Sequence, residues 1–204
     1  MRSSRQQASF MQFIIGGIVV SDKLDRIVYA ASWKKTVLFT ALFAILYIVI
    51  NFSPIGVAGL LNITGGANIL DFEFGFTYEE ANRILTALGE EGRTFYLTRI
   101  LPLDFPFPFS LMLACVGIIA LLIKHIASEK PYRYLIFIPV LLMLFDWIEN
   151  IGIIILLNNY PSLPTWAVSL ASISGILKHI FTYSSIVAIG VLLSIFLYSK
   201  FRRK

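Results

Sequence analysis

The sequence predicts an all-α integral membrane protein, a four-transmembrane-helix bundle with a small extracytoplasmic cap between helices 1 and 2. Three observations carry that prediction. First, 57% of the 204 residues are hydrophobic and only 14% are charged, with a mean hydropathy of +0.79. Soluble domains carry about 25% charged residues, and a single core could not hide this much apolar surface. Second, several apolar runs approach or exceed the roughly 20 residues that a helix needs to cross the hydrocarbon layer. Third, the cations gather beside those runs. Arg2, Arg5, Lys23, Arg26, Lys34 and Lys35 precede the first, Lys124, Lys130 and Arg133 separate two others, and Lys200, Arg202, Arg203 and Lys204 follow the last. Cytoplasmic flanks of membrane spans keep their cations in this way. The net charge of +5 therefore points to a lipid bilayer as partner and not to nucleic acid. The lone Cys115 rules out an intramolecular disulfide and a cysteine-built zinc site.

Residues 1–35 form the first region, a cytoplasmic N-terminal segment. The apolar stretch Phe10 to Val20 is short for a span and has no clear small-residue cleavage site after it, so it is not read as a signal peptide. Ser21 can cap a short in-plane helix with Leu24, Ile27, Val28 and Ala31 on one face. Trp33, Lys34 and Lys35 then anchor the start of the first span. The alternative for this region is a disordered tail.

Residues 36–204 form the transmembrane domain. The first span runs Thr36 to Phe52 and stops at Ser53-Pro54. The second runs Phe105 to Ile123, with Asp104 as N-cap and proline in the first turn. The third runs Tyr134 to Leu157. The fourth ends at Tyr198 and starts between Thr165 and His179. Both termini and the basic turn Lys124 to Arg133 fall in the cytoplasm, which leaves residues 53–103 as the extracytoplasmic cap. Within the cap, Leu70 to Phe76 alternates apolar with polar or small residues, the pattern of a short strand. Thr77 and Glu80 form a capping box that opens a helix with Ala81, Ile84, Leu85 and Leu88 on one face. Gly89 is its stop, and a second helix runs from about Glu91 towards Ile100.

The functional signal is polar residues inside the spans. Asp146, Glu149 and Asn150 share one face of the third helix. At 1.5 Å per residue, Asp146 lies roughly 18 Å and Glu149 roughly 23 Å above Tyr134. Ionisable groups at that depth turn inward to partners or water. From the fourth helix, Tyr183 comes out level with Glu149, and Lys178 and His179 somewhat higher, near Asp104. Lys178 can lean down to Glu149 across a gap of roughly 8 Å along the membrane normal. Together Asp104, Asp146, Glu149, Asn150, Lys178, His179 and Tyr183 are predicted to form a polar wedge that opens outward.

Two carboxylates one turn apart repel, so one carries a proton or is matched by Lys178. Each member also has a plain structural role available, from helix cap to packed histidine to ion network. Oxygen and imidazole donors suit several divalent ions, but no His-x-x-x-His or Cys-x-x-Cys spacing is present, so no metal site is assigned. No nucleophile elbow, phosphate loop or nucleotide fingerprint occurs, and no pattern names a cofactor. The first functional reading is a protein that binds or translocates a small polar solute, an ion or a lipid headgroup. A scaffold or accessory subunit of a membrane complex comes second, and an intramembrane lipid-modifying enzyme third. Four spans without an evident repeat are few for a lone transporter, which favours a homo-oligomer or a larger membrane complex.

Overall fold

The computed structural model describes residues 22–126 and 130–202. Phe10 to Val20 and the Ser21 cap lie outside the described residues. Within them the chain is almost wholly helical, with no strand. The helices are α1 (residues 22–30), α2 (Trp33–Phe52), α3 (Val57–Thr64), α4 (Tyr78–Ala87), α5 (Gly89–Ile126), α6 (Phe137–Asn159) and α7 (Thr165–Arg202). Four of them, α2, α5, α6 and α7, are long and apolar enough to cross a membrane. The 38 residues of α7 extend about 57 Å, well beyond a hydrocarbon layer of about 30 Å.

α6 and α7 are joined by a short loop and form the most extensively packed pair. Small residues make the close approach possible. A Cβ on Gly152 would lie 2.8 Å from the Ala171 Cβ, and one on Gly175 would lie 2.5 Å from Glu149 Oε1. α5 packs against α2, α6 and α7, whereas α2 packs on α5 and makes no extended contact with α7. α2 is thus a flank, and its apolar residues Val37, Leu38, Ile45 and Ile48 are exposed. In water such a face would be costly; in a bilayer it meets its own kind.

The two ends of the bundle differ. At one end, α1 buries Leu24 and Val28 against Ile119, Ile123, Ile136 and Leu192. Ile27, expected on the same face, is 42% exposed. Lys124 Nζ donates to the carbonyls of Tyr29 and Ala31 at 3.3 Å, and Arg133 pairs with Asp25. The cations around α1, Lys124 and Arg133 therefore share one end. At the other end, Leu60, Leu70, Leu85, Tyr96 and Ile100 pack against Ile153, Leu156 and Ala167 in a second core.

Two local expectations fail here. Residues 70–76 are not a strand: Leu70–Phe72 is a single 3₁₀ turn. The alternation has another cause. Leu70 is buried in the core while Phe72 and Phe74 are exposed, Gly75 takes φ +82° against the Ile176 side chain, and the Phe76 N–H donates to Ser172 Oγ at 2.8 Å. The segment is pinned to α7 and has no neighbouring strand to pair with. Asp104 is not an N-cap either, because α5 runs through it. The helix passes from Gly89 through a π turn at Tyr96–Ile100, and Phe105 keeps helical dihedrals. Pro102 has no N–H to give the Thr98 carbonyl, which explains a reset of the hydrogen-bond ladder at that turn.

The capping box of α4 forms as expected. Thr77 Oγ1 accepts from the Glu80 N–H at 3.2 Å, and Glu80 Oε2 accepts from the Thr77 N–H at 2.8 Å. That backbone hydrogen bond, helped by the Thr77 hydroxyl and the nearby Arg83, holds the Glu80 carboxyl below its ordinary range. Gly89, at φ +64°, ends this helix and begins the next.

Candidate functional site

The site is built from α6 outward. Asp146, Glu149 and Asn150 lie on one face of that helix, and all three are buried. Burial of two carboxylates demands partners, and α7 supplies one. Lys178 Nζ is 2.5 Å from Glu149 Oε2 and 4.0 Å from Asp146 Oδ2. The glycine at position 175 is what lets Glu149 lie flat against α7, one turn before the lysine.

A third carboxylate arrives from the segment between α3 and α4. Asp71 Oδ1 is 3.7 Å from Lys178 Nζ, and the ammonium also reaches the Asp71 carbonyl at 3.4 Å. The fully buried Tyr96 donates its hydroxyl to Asp71 Oδ2. A fourth enters through an amide: Asn150 Nδ2 donates to Asp104 Oδ2 at 2.9 Å and to Asp146 Oδ1 at 3.3 Å. Three carboxylates thus reach a single ammonium directly, and a fourth joins them through Asn150, the four coming from three parts of the chain. Several buried oxygens of the cluster accept no hydrogen bond, including Glu149 Oε1, Asp71 Oδ1 and the amide oxygen Asn150 Oδ1.

A cavity of about 390 Å³ opens onto this cluster. Asp71, Asp104, Asp146, Lys178, His179 and Thr182 line its polar side, and Phe43, Tyr47, Ile50, Phe72, Phe107 and Leu142 its apolar side. Glu149 and Asn150 lie behind that lining with no exposed surface. His179 Nδ1 sits 2.8 Å from the Gly175 carbonyl. A carbonyl only accepts, so Nδ1 carries a proton and the ring presents Nε2 as its free nitrogen. The ring also meets Phe74 edge-on at 5.4 Å.

Of the seven residues the sequence singles out, six are brought together: Asp104, Asp146, Glu149, Asn150, Lys178 and His179. Tyr183 is not among them. It is 59% exposed and faces a groove with Tyr132, Leu135 and Ile138 on the far side of α7. Five residues beyond Lys178 is 500° of helix rotation, which points Tyr183 away even though its depth is right. Asp71 and Tyr96 are the members that sequence reasoning misses. The available signal was a carboxylate held between Leu70 and Phe72 in a segment otherwise rich in phenylalanine.

Among the described residues, no group of three or more His, Cys, Asp or Glu side chains is arranged to hold a metal ion. No protein family, curated protein or solved structure matches this chain.

Proposed function

We propose that the chain is a multi-pass membrane protein whose acidic cavity binds a small polar solute, an ion or a lipid headgroup. In this reading the basic end, with both termini and the Lys124 to Arg133 turn, faces the cytoplasm, as the positive-inside rule requires. Residues 53–103 then cap the opposite side, and the cavity lies under the cap. The observation that carries the reading is the cavity itself, with Asp71, Asp146, Lys178 and His179 all on its wall. A cluster kept only for packing has no need of an open space beside it, because voids forfeit contacts.

Thermal unfolding of the purified protein in lipid nanodiscs tests this, with sodium, zinc, phosphate, choline, ethanolamine and phosphocholine as probes. A bound probe at one hundred times its Kd stabilises the folded state by about 2.7 kcal/mol. At least one probe should raise the Tm of the wild type, and the rise should vanish in Asp146→Asn. No response to any probe, or an undiminished response in Asp146→Asn, overturns the reading.

A second reading has its own observation. Lys178 ties the 65–77 segment, α6 and α7 together through Asp71, Asp146 and Glu149. In an accessory subunit this clamp would fix helix register, and its loss would lower stability without changing any probe response.

A further inference from the structure

We propose that the occupant of this cavity is an amphiphilic organic cation, an ammonium group on a hydrocarbon chain, which enters from the bilayer between α2 and α7. The inference rests on the binding reading above and names its ligand class.

Charge comes first. Three carboxylates reach one ammonium and a fourth, Asp104, lines the same cavity, so the built-in cation leaves acidic groups unmatched. Buried charge is tolerated only when it is paired. An anionic ligand would have to reach Lys178 through Asp71 and Asp146, which already flank it at 3.7 and 4.0 Å. A cation meets the opposite situation. Asp71 Oδ1 accepts no hydrogen bond, on a side chain that is nine-tenths buried and lines the cavity.

The remaining wall selects among cations. Phe43, Tyr47 and Phe107 form an aromatic cluster, with ring centroids 5.4 Å apart for Phe43 and Phe107 and 6.4 Å for Tyr47 and Phe107. All three line the same cavity as the carboxylates. Rings attract ammonium groups through their faces, and quaternary ammonium ligands are recognised this way. A hard inorganic cation wants six or more oxygens instead. Aromatic and aliphatic walls suit the hydrocarbon part of the ligand.

Access follows from the helix packing. α2 and α7 both line the cavity yet do not pack along one another, so no helix seam closes that side. Tyr47, which lines the cavity from α2, is itself 45% exposed, so the wall on that side is not sealed by protein. An amphiphile in the bilayer can slide its headgroup in while its chain stays among lipid tails.

Native mass spectrometry in a nonionic detergent tests the inference with five probes: dodecylamine, dodecyltrimethylammonium, dodecanol, dodecanoate and tetramethylammonium. The two long-chain cations should form one-to-one adducts at least about tenfold tighter than dodecanol or dodecanoate. Asp71→Asn should weaken both by about tenfold or more. Phe43→Leu, on the flanking helix, keeps the wall apolar and removes a ring; it should weaken dodecyltrimethylammonium about two- to fivefold. That variant keeps the proposal testable if Asp71→Asn does not fold. Dodecanol or dodecanoate binding as tightly as the cations overturns it. Tetramethylammonium binding as tightly as its dodecyl counterpart also overturns it, while leaving the binding reading intact. Failure of all five probes overturns it too, and the small-solute panel then decides separately whether the binding reading falls.

Discussion

Lys178 lies where an ammonium could not remain without company. Its side chain is 12% exposed, and transfer of such a group from water costs several kcal/mol unless opposite charges offset it. Three carboxylates reach it directly, so removal of the lysine strands all three, whereas removal of one carboxylate leaves two. Lys178→Met should therefore be the most destabilising single change in the cluster, at about 3–5 kcal/mol. Glu149→Gln should cost less, since Asp71 and Asp146 still neutralise the ammonium. The double variant should lose less than the sum by at least about 0.5 kcal/mol. Chemical denaturation in detergent, where it is reversible, measures all three; strict additivity would mean that the 2.5 Å contact carries no coupling. Much of this cluster is legible in the sequence because helical geometry alone places Asp146, Glu149 and Asn150 on one face and gives the lysine its reach. Asp71 is not legible. It lies 107 residues from Lys178, and only tertiary packing, with Tyr96 holding its other oxygen, brings it in.

Among the elements, α7 shows how one position can decide a site. Gly175 and Gly190 are both helical glycines, yet a Cβ at Gly175 would meet Glu149 Oε1 at 2.5 Å and one at Gly190 would meet nothing within 4 Å. Gly175→Ala should destabilise by about 1–3 kcal/mol through overpacking and push Glu149 off the lysine. Gly190→Ala should be neutral or stabilise by up to about 1 kcal/mol, the helix-propensity gain. Equal effects from the two would contradict the packing described for α6 and α7. The capping box of α4 gives a pH prediction. Because the Glu80 carboxyl is held below its ordinary value, the box contributes its full stability above the ordinary glutamate range. That contribution fades as pH falls through the lowered value. Amide exchange in the first turn of α4 should quicken relative to its last turn as pH drops below the ordinary glutamate range; a constant ratio would show that Glu80 does not hold the cap. The box is visible in sequence because it is local. The π turn and the unbroken course of α5 are not, since Pro102, Pro106 and Pro108 each read locally as a helix start, while the chain keeps helical dihedrals through Phe105.

On the scale of the molecule, the arrangement is polarised: α1 with Lys124 and Arg133 at one end, the folded 53–103 segment and the acidic cavity towards the other. Composition makes the four long helices legible, because apolar runs of this length have few other uses. That α2 packs on α5 and not along α7 is invisible in sequence, for nothing in the apolar run of α2 says which helix it meets. The proposed binding reading requires that water reach the Lys178 cavity from the side opposite the basic end, in addition to any entry from the bilayer. Labelling by an impermeant charged thiol reagent in right-side-out vesicles tests it most directly, in a Cys115→Ser background. Thr182→Cys sits on the cavity wall, Glu90→Cys in the first turn of α5, and Lys200→Cys near the end of α7. The account predicts that Glu90→Cys and Thr182→Cys label from outside and that Lys200→Cys does not. Labelling of Lys200→Cys, or protection of Thr182→Cys while Glu90→Cys reacts, would contradict it.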